Sequence, residues 1–146
     1  MKTPINFSFE VSASHNNSGI EISAKLDDLD PVIFAVTNDR QVVQFIIDDD
    51  VEKDHTLVIE MRGKTPQHTK VDDSGNIIDD VLILLENFWL DDFNLESILW
   101  DKAQYIHDHN GTQPMAIHKF FGPMGCNGTV TLKFRTPVYL WLLEHL

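Results

Sequence analysis

From Ile5 to Ala13 the chain alternates apolar and polar side chains with almost no break. Ile5, Phe7, Phe9, Val11 and Ala13 hold one parity, and Asn6, Ser8, Glu10 and Ser12 hold the other. After an Asn-Asn-Ser-Gly turn, Ile20, Ile22, Ala24 and Leu26 alternate with Glu21, Ser23, Lys25 and Asp27. Successive side chains on a strand point to opposite faces, so a period of two marks strands with one buried face. Residues 32–37 and 42–47 flank Asn38, Asp39 and Arg40, whose turn chemistry predicts a hairpin. Residues 56–62 put Leu57, Ile59 and Met61 on the inner side, and residues 129–135 put Val130, Leu132 and Phe134 there.

Other segments are less regular. Within residues 80–90, the run from Val81 to Leu85 is apolar on both faces, which predicts a central or covered strand, with a short helix as the competing assignment. Residues 98–106 read as a strand, straight or bent, and residues 115–121 as another. Residues 63–76 form a long polar stretch, and helical periodicity is confined to residues 94–99 and 138–146. The expected fold is therefore all-β: one antiparallel β-sandwich domain spanning 1–146, jelly-roll-like, with about eight to ten strands. Its last segment, 136–146, is the densest apolar tract and must dock on the core or on a neighbouring subunit.

Composition narrows the options further. Hydrophobic residues make up 42% of the chain, and nine Phe, three Trp and two Tyr supply a core without disulfides, since Cys126 is the single cysteine. The formal charge of −12 opposes nucleic-acid binding, which neutralises phosphates with Lys and Arg, and it opposes anionic membranes too. No apolar run approaches the length of a membrane span, so no membrane insertion is expected. The opening Met-Lys-Thr-Pro-Ile lacks a secretory apolar region. The expectation is a protein made in the cytoplasm without a signal peptide, with incorporation into a virion as its route outward.

Three constellations could carry chemistry. Acidic pairs at Asp72 and Asp73, Asp79 and Asp80, and Asp91 and Asp92 fall at strand ends, where loops of a sandwich can gather oxygens around calcium. The segment from Asp72 to Asn76 resembles an EF-hand loop in composition but lacks its ligand spacing, and paired aspartates also simply mark turns. His107 and His109 project from one face of an extended segment and could chelate a transition metal. His118 would join them only if its strand lies alongside. Trp89, Trp100 and Tyr105, with Phe120, Phe121, Tyr139 and Trp141, include rings that could stack on a sugar. The glycines from Gly122 to Gly128 precede a strand rather than a helix, so they read as a turn and not as a phosphate cradle. No Ser-His-Asp order or Cys-x-x-Cys pair is present, and no catalysis is expected.

The run from His55 to Met61, a variable acidic loop, and then Val81 to Asp92 resembles the body of β-sandwich carbohydrate-binding modules of the calcium-assisted xylan-binding type. It is also similar in outline to small structural proteins of tailed phages. The resemblance implies a non-catalytic recognition fold whose loop aspartates hold calcium. Glycan recognition, with Trp89, Trp100, Tyr105, His107 and His109 near the ligand, is therefore the leading expectation. The alternative is an assembly protein of a larger particle, such as a phage virion, associating with a protein partner or with itself through Tyr139, Trp141, Leu142 and Leu146. A glycan hydrolase is the remote third.

Overall fold

The structure, a computed structural model, describes residues 3–145. In chain order the elements are β1 (Pro4–Ala13), β2 (Glu21–Leu26), β3 (Val32–Ala35), β4 (Gln41–Asp48) and β5 (Lys53–Arg62). A 3-10 turn (Pro66–His68) leads into β6 (Thr69–Val71), β7 (Ile77–Asp80), β8 (Ile83–Leu90), β9 (Phe93–Asn94) and α1 (Glu96–Lys102). The chain continues through β10 (Gln104–His107), β11 (Ala116–Lys119), β12 (Pro123–Met124), β13 (Gly128–Thr136) and α2 (Val138–Glu144).

These strands build an antiparallel β-sandwich. One sheet runs β12-β8-β1-β4, with β9 paired to the end of β8; the other runs β11-β10-β13-β5-β2-β3. The thirteen strands among the described residues exceed the expected eight to ten because several are only two to four residues long. The alternation of β1 and β2 survives intact: Ile5, Phe7, Phe9, Val11, Ile20, Ile22, Ala24 and Leu26 are all buried. The β1 residues meet Leu57, Ile59, Met61, Val130, Leu132 and Phe134 of the facing sheet, to which β2 itself belongs. Phe7 stacks on Phe134 across the two sheets, with centroids 5.5 Å apart, and Phe9 stacks on Phe88 at 4.9 Å.

Turn chemistry misleads at one place. Asn38 to Arg40 joins β3 to β4, which lie in different sheets, so the expected hairpin is a crossover between layers. Residues 98–106 are not a single strand. Leu95, Leu99 and Ala103 are all buried at a spacing of four, which forms α1, and β10 starts only after it. The polar stretch and the residues just after it also hide a two-stranded hairpin, β6–β7, closed by a turn in which Asp72 accepts amide hydrogens from Ser74 and Asn76. In β8 the period breaks at a bulge. Ser8 faces Trp89 and Glu10 faces Glu86, so Asn87 and Phe88 together oppose Phe9, and Asn87 adopts a left-handed φ of 56°. The bulge turns Phe88 and Leu90 inward and leaves Trp89 at the surface.

The C-terminal tract docks on its own sandwich through one face of α2. Val138, Trp141 and Leu142 are buried, and Trp141 meets Phe134 edge-on at 6.0 Å. Tyr139, Leu140 and Leu143 stay exposed. Among the described residues no helix is long and apolar enough to cross a membrane.

Candidate functional site

A cleft of about 350 Å³ opens beside β8, between α1 and the segment joining β11 to β12. Trp100 follows Glu96 by four positions on α1, so both side chains project from one side of the helix and both line the cleft. Opposite them stand Phe121, Gly122 and Pro123, with Leu84 and Glu86 contributed by β8. Trp100 is 41% exposed and Phe121 62%. Lys119 lies over the Phe121 ring, its Nζ 5.8 Å from the centroid. Gly122 shapes this wall. Its φ is 115°, its carbonyl accepts the Leu85 amide, and a Cβ there would come within 3.2 Å of the Leu85 carbonyl oxygen. The bulge at Asn87 fixes the neighbouring rim, where the Asn87 side chain donates to Glu10 at 2.7 Å.

The second feature lies at the far edge of the other sheet. Strand β11 pairs with β10 so that His118 sits opposite Tyr105, and His107, two residues on from Tyr105, shares their face. His109 comes next, in the turn, with a left-handed φ of 52°. One ring nitrogen from each of His107, His109 and His118 lies within 4.8 Å of the others. The His107 and His118 rings stack at 3.9 Å, and His109 meets both edge-on at 4.6 and 4.8 Å. His107 is 6% exposed, and its Nδ1 accepts the His109 amide at 3.1 Å. Burial pushes His107 below the ordinary histidine value, and His118 and His109 push it the same way against a weaker opposing pull from Asp108. The Nε2 atom of His118 is buried without a hydrogen-bond partner.

No family model, curated protein or solved structure matches the chain.

Among the described residues the aspartates nominated from the sequence do not fall into a group of three or more potential metal donors, and four of them have local partners. Asp72 organises its own turn, Asp79 pairs with His15 at 3.0 Å, and Asp91 accepts the Asn6 amide at 2.8 Å. Asp73 lies in the same turn as Asp72, and Asp92 beside Asp91 in the turn between β8 and β9. Asp80 receives the buried Lys64 ammonium at 2.7 Å and the Thr69 hydroxyl at 2.7 Å. Among the described residues the three histidines are the one such group of potential metal donors.

Of the nominated aromatics, Trp100 lines the cleft and Trp89 is surface-exposed outside its lining. Tyr105 is a core residue: its hydroxyl donates to the Cys126 carbonyl and accepts the Cys126 amide at 3.0 Å. Of the nominated partner contacts, Tyr139 is exposed, Trp141 and Leu142 are buried on their own sandwich, and Leu146 lies outside the described residues. Glu86 and Glu96 escaped the sequence reading. Neither has a signal in the sequence, because the cleft is assembled from β8 and α1, which meet only in the fold.

A further polar cluster has the outline of a hydrolytic triad. His55 Nδ1 lies 2.6 Å from Asp27 Oδ2, and its Nε2 lies 2.9 Å from Thr136 Oγ1. Thr136 is 1% exposed, and its hydroxyl donates to the Val51 carbonyl. With the hydroxyl nearly wholly buried and its proton given to a backbone carbonyl, the cluster ties the ends of β2, β5 and β13 together.

Proposed function

We propose that this sandwich is a non-catalytic recognition module that binds a neutral carbohydrate in the cleft beside β8. One observation carries the reading: two large aromatic rings, Trp100 and Phe121, stand exposed at one cleft with two carboxylates, Glu86 and Glu96. A ring face complements the C–H face of a pyranose. Charged acceptors make strong, directional hydrogen bonds to hydroxyl donors. The cleft volume of about 350 Å³ falls in the range of about 300–1,000 Å³ typical of small-molecule sites. The net charge of −12 favours a neutral sugar over an anionic one. Four of the six aspartates, Asp72, Asp79, Asp80 and Asp91, have local partners, and the proposed contacts need no calcium. Glycan-array binding by the purified chain, repeated with Trp100→Ala and Phe121→Ala and in the presence of EDTA, tests this. Both variants should lose binding, and EDTA should change nothing. Release of reducing ends from a bound polysaccharide would instead make Glu86 and Glu96 the acid and base of a hydrolase.

An assembly role is the second reading, and it rests on a different surface. A groove of about 410 Å³ between α1 and α2 is edged by Phe93, Ile98, Tyr139 and Leu143. Three of these, Phe93, Tyr139 and Leu143, are at least half exposed. Such an apolar strip suits a protein partner. Under this reading light scattering detects a discrete oligomer, and Tyr139→Glu with Leu143→Glu returns it to monomer without loss of fold.

A further inference from the structure

We infer that His107, His109 and His118 form a binding site for one divalent transition-metal ion. The sequence places two of these residues a strand-period apart, and the register of β10 against β11 delivers the third to the same face. Their donor atoms already lie within 4.8 Å of one another. A tetrahedral ion held at about 2.0–2.1 Å needs nitrogens about 3.3 Å apart, so the triad closes by about 1.5 Å at its widest. The closure falls on elements at the margin of the sheet. His109 sits in a turn beyond the end of β10, and β11 is the edge strand of its sheet. His107, packed against Tyr105 with centroids 4.4 Å apart, is the fixed post.

Three imidazoles are a borderline-soft, neutral donor set, which suits zinc, copper or nickel and not calcium or magnesium, whose ligands are oxygens. The one carboxylate within the turn, Asp108, accepts the Gly111 amide at 2.8 Å and closes the loop. The orphaned His118 Nε2 is the second observation. A buried ring nitrogen without a hydrogen-bond partner is costly, and in its unprotonated form a metal ion would satisfy it. Loading His107 has a consequence of its own. In the metal-free fold its Nδ1 accepts the His109 amide, which places the neutral ring's proton on Nε2. Metal binding at Nε2 would therefore move that proton to Nδ1 and break the hydrogen bond from the His109 amide, and binding at Nδ1 would displace the same N–H. Either way the hydrogen bond that ties the His109 amide to the His107 ring is lost. A three-histidine set leaves a fourth position open to water or to a donor from a bound molecule.

The test uses the full chain without an affinity tag. Calorimetry with zinc, nickel or copper(II) should give one site. His109→Gln and His118→Gln should weaken it at least tenfold, and His15→Gln, at the separate His15–Asp79 pair, should leave it unchanged. Copper(II) bound to the unmodified chain provides a readout that no variant's folding can compromise, because its electron paramagnetic resonance should carry hyperfine structure from several imidazole nitrogens. The inference is overturned if none of the three metals binds. Equal binding by His118→Gln, loss of binding in His15→Gln alone, or a copper spectrum with a single nitrogen would each overturn it as well.

Discussion

Replacing Lys64 by Met should cost more stability than any exposed ion pair in the molecule. The Lys64 side chain is 1% exposed, and its ammonium donates to Asp80 Oδ1 at 2.7 Å, the Val81 carbonyl at 2.6 Å and the Gly125 carbonyl at 2.8 Å. Three donors meet three acceptors, so the buried charge is fully satisfied. The contacts also lock the β6–β7 hairpin to the loop after β12. Methionine matches the stem but leaves two carbonyls and a carboxylate without their donor. Removing one partner of a buried pair costs about 3–5 kcal/mol. Asp80 is 26% exposed and keeps the Thr69 hydroxyl, so water recovers part of that loss, and about 3 kcal/mol is expected. For a chain of this size that corresponds to a fall in Tm of about 6–12 °C. Urea unfolding of Lys64→Met, with Glu52→Gln as the comparison, measures it. Arg135 and Glu52 are both more than half exposed at 3.7 Å, and their pair should contribute no more than about 0.5 kcal/mol. A loss below about 1 kcal/mol for Lys64→Met would refute the reasoning, since it would mean that the three contacts add nothing beyond hydration.

The same geometry sets three further outcomes. Gly128→Ala puts a Cβ 2.4 Å from the Ile106 carbonyl oxygen and 2.8 Å from the His107 Cβ, so β13 must part from β10. Urea unfolding should show a loss of about 1–3 kcal/mol, with exchange protection falling first in β10. Burial raises the Tyr105 phenol above its ordinary 10.0, so the fold favours the protonated ring. That contribution is complete below pH 10 and is lost as pH climbs toward the raised value. The stability gap between the wild type and Tyr105→Phe should therefore shrink with rising pH above 10. Burial also raises the Cys126 thiol, against a smaller opposing pull from Lys64, so alkylation at pH 8 should run slower in the folded chain than in urea.

Where one residue's environment decides its side, the chain could be read directly. The inner faces of β1, β2, β5 and β13 follow from period two because each of those strands buries one side only. Helix α1 was harder, since Leu95, Leu99 and Ala103 carry a helical spacing over only a short stretch before β10 resumes alternation. Asn38 to Arg40 suggested a hairpin because local turn chemistry is blind to which sheet the next strand joins. The histidine group was half legible. His107 and His109 are neighbours in sequence, but His118 depends on the register of β11, which no local signal encodes. Lys64 gave no sign at all, because its partners Asp80, Val81 and Gly125 meet it only through the crossover of distant loops. The cleft combines β8, α1 and the segment before β12, so its two glutamates were invisible until those elements came together.

The most direct test of the recognition reading is titration calorimetry with the strongest glycan from an array, comparing the wild type with Trp100→Ala. The account predicts saturable binding that weakens at least tenfold when the indole is removed, a difference of about 1.4 kcal/mol. Equal affinity in the two proteins, or no glycan bound at all, would contradict it.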